Sequence, residues 1–217
     1  MRTIRESYLI QRRAIGIMAM ALGALLILGA QTGGASPIGV SISSYAWAND
    51  HAIFDAVLAI CGSFLIFYSG FDTTDNVITS LAGVSFILVV LFPCIGGNGY
   101  TFLFLSPRTT SIIHGGAAAV GFALLGHMSL VQFPKSSGEE TENKRARNIV
   151  YRTCGVIIFA SIGAIGIITI IPGAREYTDK IRLFLSLELI ILGAFGISWL
   201  TKGQSIFPDE KEKEDLS

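Results

Sequence analysis

Six long apolar segments, each bounded by polar or turn-forming residues, limit what this chain can fold into more than any other feature. They cover 14–30, 52–68, 77–94, 112–132, 149–171 and 183–200. About 20 consecutive apolar residues are needed for a helix to cross the hydrocarbon core of a bilayer. Backbone in lipid must satisfy its own hydrogen bonds, which leaves helices and closed barrels. A membrane barrel reads as alternating segments of about ten residues, and these runs do not alternate. The expected fold is therefore all-α, a polytopic integral membrane protein built as a bundle of six transmembrane helices. It would occupy residues 1–207, with 208–217 forming a disordered acidic cytoplasmic tail.

Charge placement agrees. Only 15% of the 217 residues are charged, against about 25% in soluble domains. Those charges gather at the two ends and in short stretches between the apolar runs, because a charged side chain costs a few kcal/mol at a bilayer centre. With a net charge of zero and no basic domain or nucleic-acid motif, nucleic acid is not expected as a partner; membrane lipids and a homo-oligomer are. The cysteines, Cys61, Cys94 and Cys154, lack C-x-x-C spacing and read as small buried hydrophobes. Arg12-Arg13 precedes an apolar run too long for a signal peptide and without an A-x-A site, so a retained first helix is expected.

Lysine and arginine set the orientation. Arg2, Arg5, Arg12 and Arg13 begin the chain; Lys135, Lys144, Arg145 and Arg147 fill the fourth connection; Lys202, Lys211 and Lys213 follow the last span. Both termini are then cytoplasmic, in a membrane of the bacterial inner type. Arg175, Lys180 and Arg182 in the fifth connection, expected outside, run against this. The fourth connection, KSSGEETENKRARN, and the tail read as solvated segments outside the core, the basic half of the former resting on headgroups. Gly115-Gly116 and Gly163-x-x-Gly166 are expected to let helix backbones approach closely.

Ionisable residues within spans are costly, so function is sought there. Helix two carries His51 and Asp55 at i and i+4, on one face. Helix four carries His114 and His127, and helix six carries Glu188. In the expected topology His51, Asp55, His114 and Glu188 share one level in the outer leaflet, while His127 lies about 20 Å deeper. Ser41, Ser43, Ser44, Tyr45 and Trp47 precede helix two and are placed to fold over that level. Three readings of the group follow. It is interhelical glue, or an outer-leaflet pocket that binds a lipid headgroup or small polar ligand, with Ser44 contributing. Alternatively it is a zinc site of His51, Asp55, His114 and Glu188, whose activated water would make a zinc-dependent intramembrane hydrolase. A small transporter is a further alternative, although the mid-membrane carries little beyond hydroxyls such as Ser63, Ser85 and Ser161.

Three stretches carry a resemblance. They are S-I-S-S-Y (Ser41 to Tyr45), F-D-A-V-L-A-I-C-G-S-F-L-I-F-Y (Phe54 to Tyr68) and I-H-G-G-A (Ile113 to Ala117), with Glu188 in the last helix. The layout resembles the family of damage-regulated autophagy modulators and bacterial six-helix proteins of similar plan. Ser44 stands where that family carries an aspartate. The resemblance implies a membrane protein linked to lipid organisation or trafficking, with no established catalytic activity; no cofactor is expected, with zinc as the alternative.

Overall fold

The computed structural model describes residues 3–32, 38–47, 51–94, 103, 105–135 and 141–208. Its elements are α1 (Ile4–Thr32), a 3-10 turn (Ile42–Trp47), α2 (His51–Ile66), α3 (Thr73–Leu91) and α4 (Pro107–His127), which runs on into a π turn (Met128–Gln132). Then come α5 (Glu142–Ile170), a short α6 (Ala174–Lys180) and α7 (Leu183–Lys202). No strand occurs among the described residues.

Five helices are long and apolar enough to cross a membrane: α1, α3, α4 with its π turn, α5 and α7. The sixth expected span, α2, is apolar but has 16 residues. At 1.5 Å per residue it reaches about 24 Å, short of the roughly 30 Å core. The long helices close a ring in chain order. Each packs on the next from α1 to α5, α5 packs on α7, and α7 returns to α1. Large apolar side chains such as Ile17, Leu81, Ile112, Val156 and Ile167 are exposed around the outside, more apolar surface than a water-soluble monomer carries.

Helices begin earlier than hydropathy indicates, because capping chemistry fixes where they start. Thr3 and Glu6 form a capping box: the Thr3 amide donates to Glu6 Oε2 (2.6 Å) and the Glu6 amide to Thr3 Oγ1 (3.2 Å). The start of α1 thus falls well before the apolar run at 14. Ser106 caps α4, with Pro107 inside its first turn. Thr141 caps α5 by accepting from the Lys144 amide.

This last cap corrects the sequence reading of the fourth connection. Residues 142–148 are helix rather than solvated loop, and Arg147 is buried. Its Nη1 donates to the Phe207 carbonyl (2.7 Å), and Asn143 Nδ2 donates to that of Pro208 (2.9 Å). This part of the connection therefore docks against the segment after α7. Residues 136–140 and the tail from 209 lie outside the described residues.

Backbone contact between helices also falls elsewhere than expected. A Cβ placed on Gly115, Gly116, Gly163 or Gly166 would meet nothing within 4 Å. The close crossings use other glycines. A Cβ on Gly83 would stand 2.4 Å from the Gly62 carbonyl oxygen, and one on Gly16 would stand 2.8 Å from that of Gly196. The first pair joins α3 to α2, the second α1 to α7. Inside the ring, Phe86, Phe195, Trp199 and Phe133 stack in succession at centroid distances of 6.5, 5.8 and 5.5 Å.

Candidate functional sites at the two ends of the bundle

The antiparallel ring has two ends, which differ in chemistry. One holds the 3-10 turn and the start of α2, α4 and α7; the other, the basic end, holds the start of α1, α3 and α5.

At the turn end, α7 and α4 each present one ionisable side chain to adjacent residues of the 3-10 turn. Glu188 Oε2 accepts from the Ile42 amide at 2.5 Å. His114 Nε2 lies 2.8 Å from Ser43 Oγ. His114 Nδ1 faces two carbonyls, of Phe92 (2.9 Å) and Val89 (3.1 Å). Carbonyls only accept, so Nδ1 carries a proton; in the neutral ring Nε2 would then accept from the Ser43 hydroxyl. Cys94 Sγ donates to the Ser43 carbonyl (3.1 Å).

The turn also braces itself. Ser44 Oγ donates to the Ser41 carbonyl (2.6 Å), and buried Tyr45 accepts from the Gly39 amide through its hydroxyl (3.1 Å). Arg182 Nη1 donates to the Ile38 and Gly39 carbonyls. Glu188, His114 and Arg182 therefore fasten residues 38–45 across the end of the ring.

His51 and Asp55 stand apart from this arrangement. Their side chains pair with each other at 3.4 Å and are 59% and 41% exposed. The four residues expected at one level fall into two units: buried His114 and half-buried Glu188, which grip hydroxyl and backbone, and an exposed imidazole–carboxylate pair opening α2. Among the described residues, no three His, Cys, Asp or Glu side chains lie close enough together to hold a metal ion. His127 ends α4, half-buried and apart from the others.

The basic residues of the fifth connection have local partners. Arg175 Nε lies 2.8 Å from Asp179 Oδ1, with its guanidinium 3.7 Å over the Phe184 ring centroid. Lys180 pairs with Glu176 at 3.4 Å.

The basic end holds a second polar group that sequence reasoning missed. Asp75, in the first turn of α3, is fully buried. Its Oδ2 accepts from the Phe71 amide (2.9 Å), while its own amide donates to Asp72 Oδ1 (2.9 Å). Asp72 caps the helix, and Asp75 reaches back one residue past the cap to the Phe71 amide, a variant of the capping box. Asp72 also meets Lys135 Nζ at 3.0 Å. The Asp75 amide, and after it Lys135, hold the Asp72 carboxyl below its usual range.

Arg12 lies over the Tyr68 ring, 5.4 Å from its centroid. Tyr68 packs edge-on against Trp199 at 5.0 Å, and Lys202 Nζ is 4.9 Å from the Phe133 ring centroid. Asp75 Oδ1, Trp199 Nε1, Gln132 Oε1 and Arg12 Nε are buried without a hydrogen-bond partner in the structure. The one sequence signal was the D-x-x-D spacing of Asp72 and Asp75 at a helix start, which also reads as an ordinary solvent-exposed cap. Compared with known proteins, the chain matches no family model, no curated protein and no solved structure.

Proposed function

We propose that this chain is a six-span membrane protein with both termini cytoplasmic. Its turn end, in the outer leaflet of a bacterial inner membrane, binds a lipid headgroup or small polar ligand. The supporting observation is the division of labour at that end. Glu188 and His114 hold the turn, and this leaves His51 and Asp55 exposed beside it as the groups a ligand would meet. An imidazole and a carboxylate together suit a headgroup carrying both a donor and an acceptor, such as a phosphate ester with an amine. α2 completes the sixth span if the residues after Ile66, with buried Tyr68, continue its path through the headgroup region.

The test is ligand-induced thermal stabilisation of the purified protein across a panel of phospholipids and their water-soluble headgroups. Asp55→Asn and His51→Asn should fold as the parent does and lose the response. Glu188→Gln should keep it, whereas Glu188→Ala should lower the melting temperature by releasing the turn. Full response in both Asp55→Asn and His51→Asn would refute the reading. Zinc bound at one equivalent, lost in either variant, would replace it with the hydrolase reading.

A further inference from the structure

We propose that the basic end carries a second, independent lipid site: a groove between the start of α1 and the end of α7 that seats the phosphate of an anionic phospholipid on Arg12. The groove measures about 310 Å³ and is lined by Ile4, Arg5, Tyr8, Leu9, Arg12 and Gln204. Arg5 and Arg12 are seven positions apart, two helical turns, and so share a face of α1. Ile4 and Tyr8 are exposed on the same stretch and offer an acyl chain an apolar path away from the arginines. This stretch precedes the apolar run of α1, at the depth where headgroups lie. A phosphate with an attached acyl chain matches both halves of the lining.

Two observations support a partner from outside the protein. Arg12 forms no ion pair with any carboxylate among the described residues, and its Nε is buried without an acceptor. Behind it, buried Tyr68 interacts through its hydroxyl with Arg12 itself, and Trp199 Nε1 is buried without a partner. A half-buried guanidinium that lines the groove and has no carboxylate partner among the described residues has N–H donors to offer an oxyanion.

Charge points the same way. Arg12, Lys144 and Arg147 all act electrostatically on Lys202, and Asp75 is the one carboxylate that does. Asp75 spends one oxygen on the Phe71 amide, and Arg5 and Arg12 both line the groove itself. Anionic lipid in a cytoplasmic leaflet is drawn to such a basic lining. This site does not rest on the turn-end reading, because it uses different helices and the opposite end of the ring.

The experiment is native mass spectrometry and thermal unfolding of the full chain in micelles. Phosphatidylglycerol, phosphatidylcholine and inorganic phosphate are added separately. Phosphatidylglycerol should bind and raise the melting temperature, phosphatidylcholine should do so much less, and inorganic phosphate should have no effect. Arg12→Gln should weaken phosphatidylglycerol binding about tenfold, the loss of one charge-assisted contact. Arg5→Gln, on the exposed rim, should weaken it to a smaller extent and guards against a folding defect in the first variant. Asp55→Asn should leave it unchanged, which separates this site from the one at the turn end. Equal binding of phosphatidylglycerol and phosphatidylcholine, or undiminished binding in the folded Arg12→Gln protein, would overturn the proposal. So would equal stabilisation by inorganic phosphate alone, since that would make the groove a free-anion site.

Discussion

Gly83→Ala tests where the helices of this bundle touch. The new Cβ would stand 2.4 Å from the Gly62 carbonyl oxygen and 3.0 Å from the Ile66 amide nitrogen, both backbone atoms. Ordinary contact starts at 3.4 Å, so α3 must retreat from α2 by about 1 Å. A gap of roughly 0.5–1 Å forfeits a quarter to a half of each dispersion contact it opens. It also stretches the hydrogen bond from Ser80 Oγ to the Ile66 carbonyl, now 3.2 Å. Overpacking of this kind costs about 1–3 kcal/mol. A clash with backbone atoms falls at the upper end, about 2–3 kcal/mol, and alanine's better helix propensity offsets about 1 kcal/mol, which leaves a net loss of about 1–2 kcal/mol. Reversible unfolding in mixed micelles, followed by circular dichroism, would show it as a shift of about five- to thirty-fold in the equilibrium constant. Gly163→Ala is the matched control: its Cβ meets nothing, and the helix-propensity gain alone should leave it unchanged or slightly stabilised. Equal destabilisation of both variants would mean that α2 and α3 do not cross at Gly62–Gly83.

Two further predictions concern topology and pH. On a background lacking Cys61, Cys94 and Cys154, Tyr177→Cys in α6 should react with an impermeant maleimide in intact cells and Ser205→Cys should not; the reverse pattern would invert the orientation. The Asp72 carboxyl is held below its usual value of 3.8 by the Asp75 amide first and then by Lys135. Its folded pKa is depressed, so its stabilising contribution is complete above the unfolded value and disappears as pH falls through the lower folded one. The melting temperature should therefore drop below about pH 4, and Asp72→Asn, which keeps the cap, should flatten that part of the profile; an unchanged acid limb would refute the assignment.

Depth was legible in the sequence because it is one-dimensional. Hydropathy and the rise per residue place Glu188 and His114 at one level, and the structure has both reaching the same short turn. Azimuth and partner were not legible. Nothing in the residue types says that Glu188 takes a backbone amide while Asp55, of the same chemistry and similar depth, stays exposed with His51. The helix starts at Ile4 and Glu142 were missed for a related reason: hydropathy reports what faces lipid, whereas Thr3 and Thr141 fix where helical geometry begins. Asp75 was missed because a carboxylate at a helix start is ordinary, and only its burial makes it informative.

The two ends and the space between them bear on the remaining alternative, a transporter. A permeation path needs polar groups in sequence from one face to the other. Here the polar chemistry divides between the ends, and Phe86, Phe195, Trp199 and Phe133 stack inside the ring. The nearby hydroxyls of Ser129 and Ser198 bond to each other at 2.8 Å and are fully buried. A substrate crossing the ring would have to part several edge-on aromatic contacts, each worth about 0.5–1.5 kcal/mol beyond its buried area. It would also have to break a hydrogen bond that already satisfies both partners. The same packing would keep a ligand bound at either end from reaching the other. Under the proposed reading of two binding surfaces, the aromatic column would be the spacer that separates them rather than a path between them.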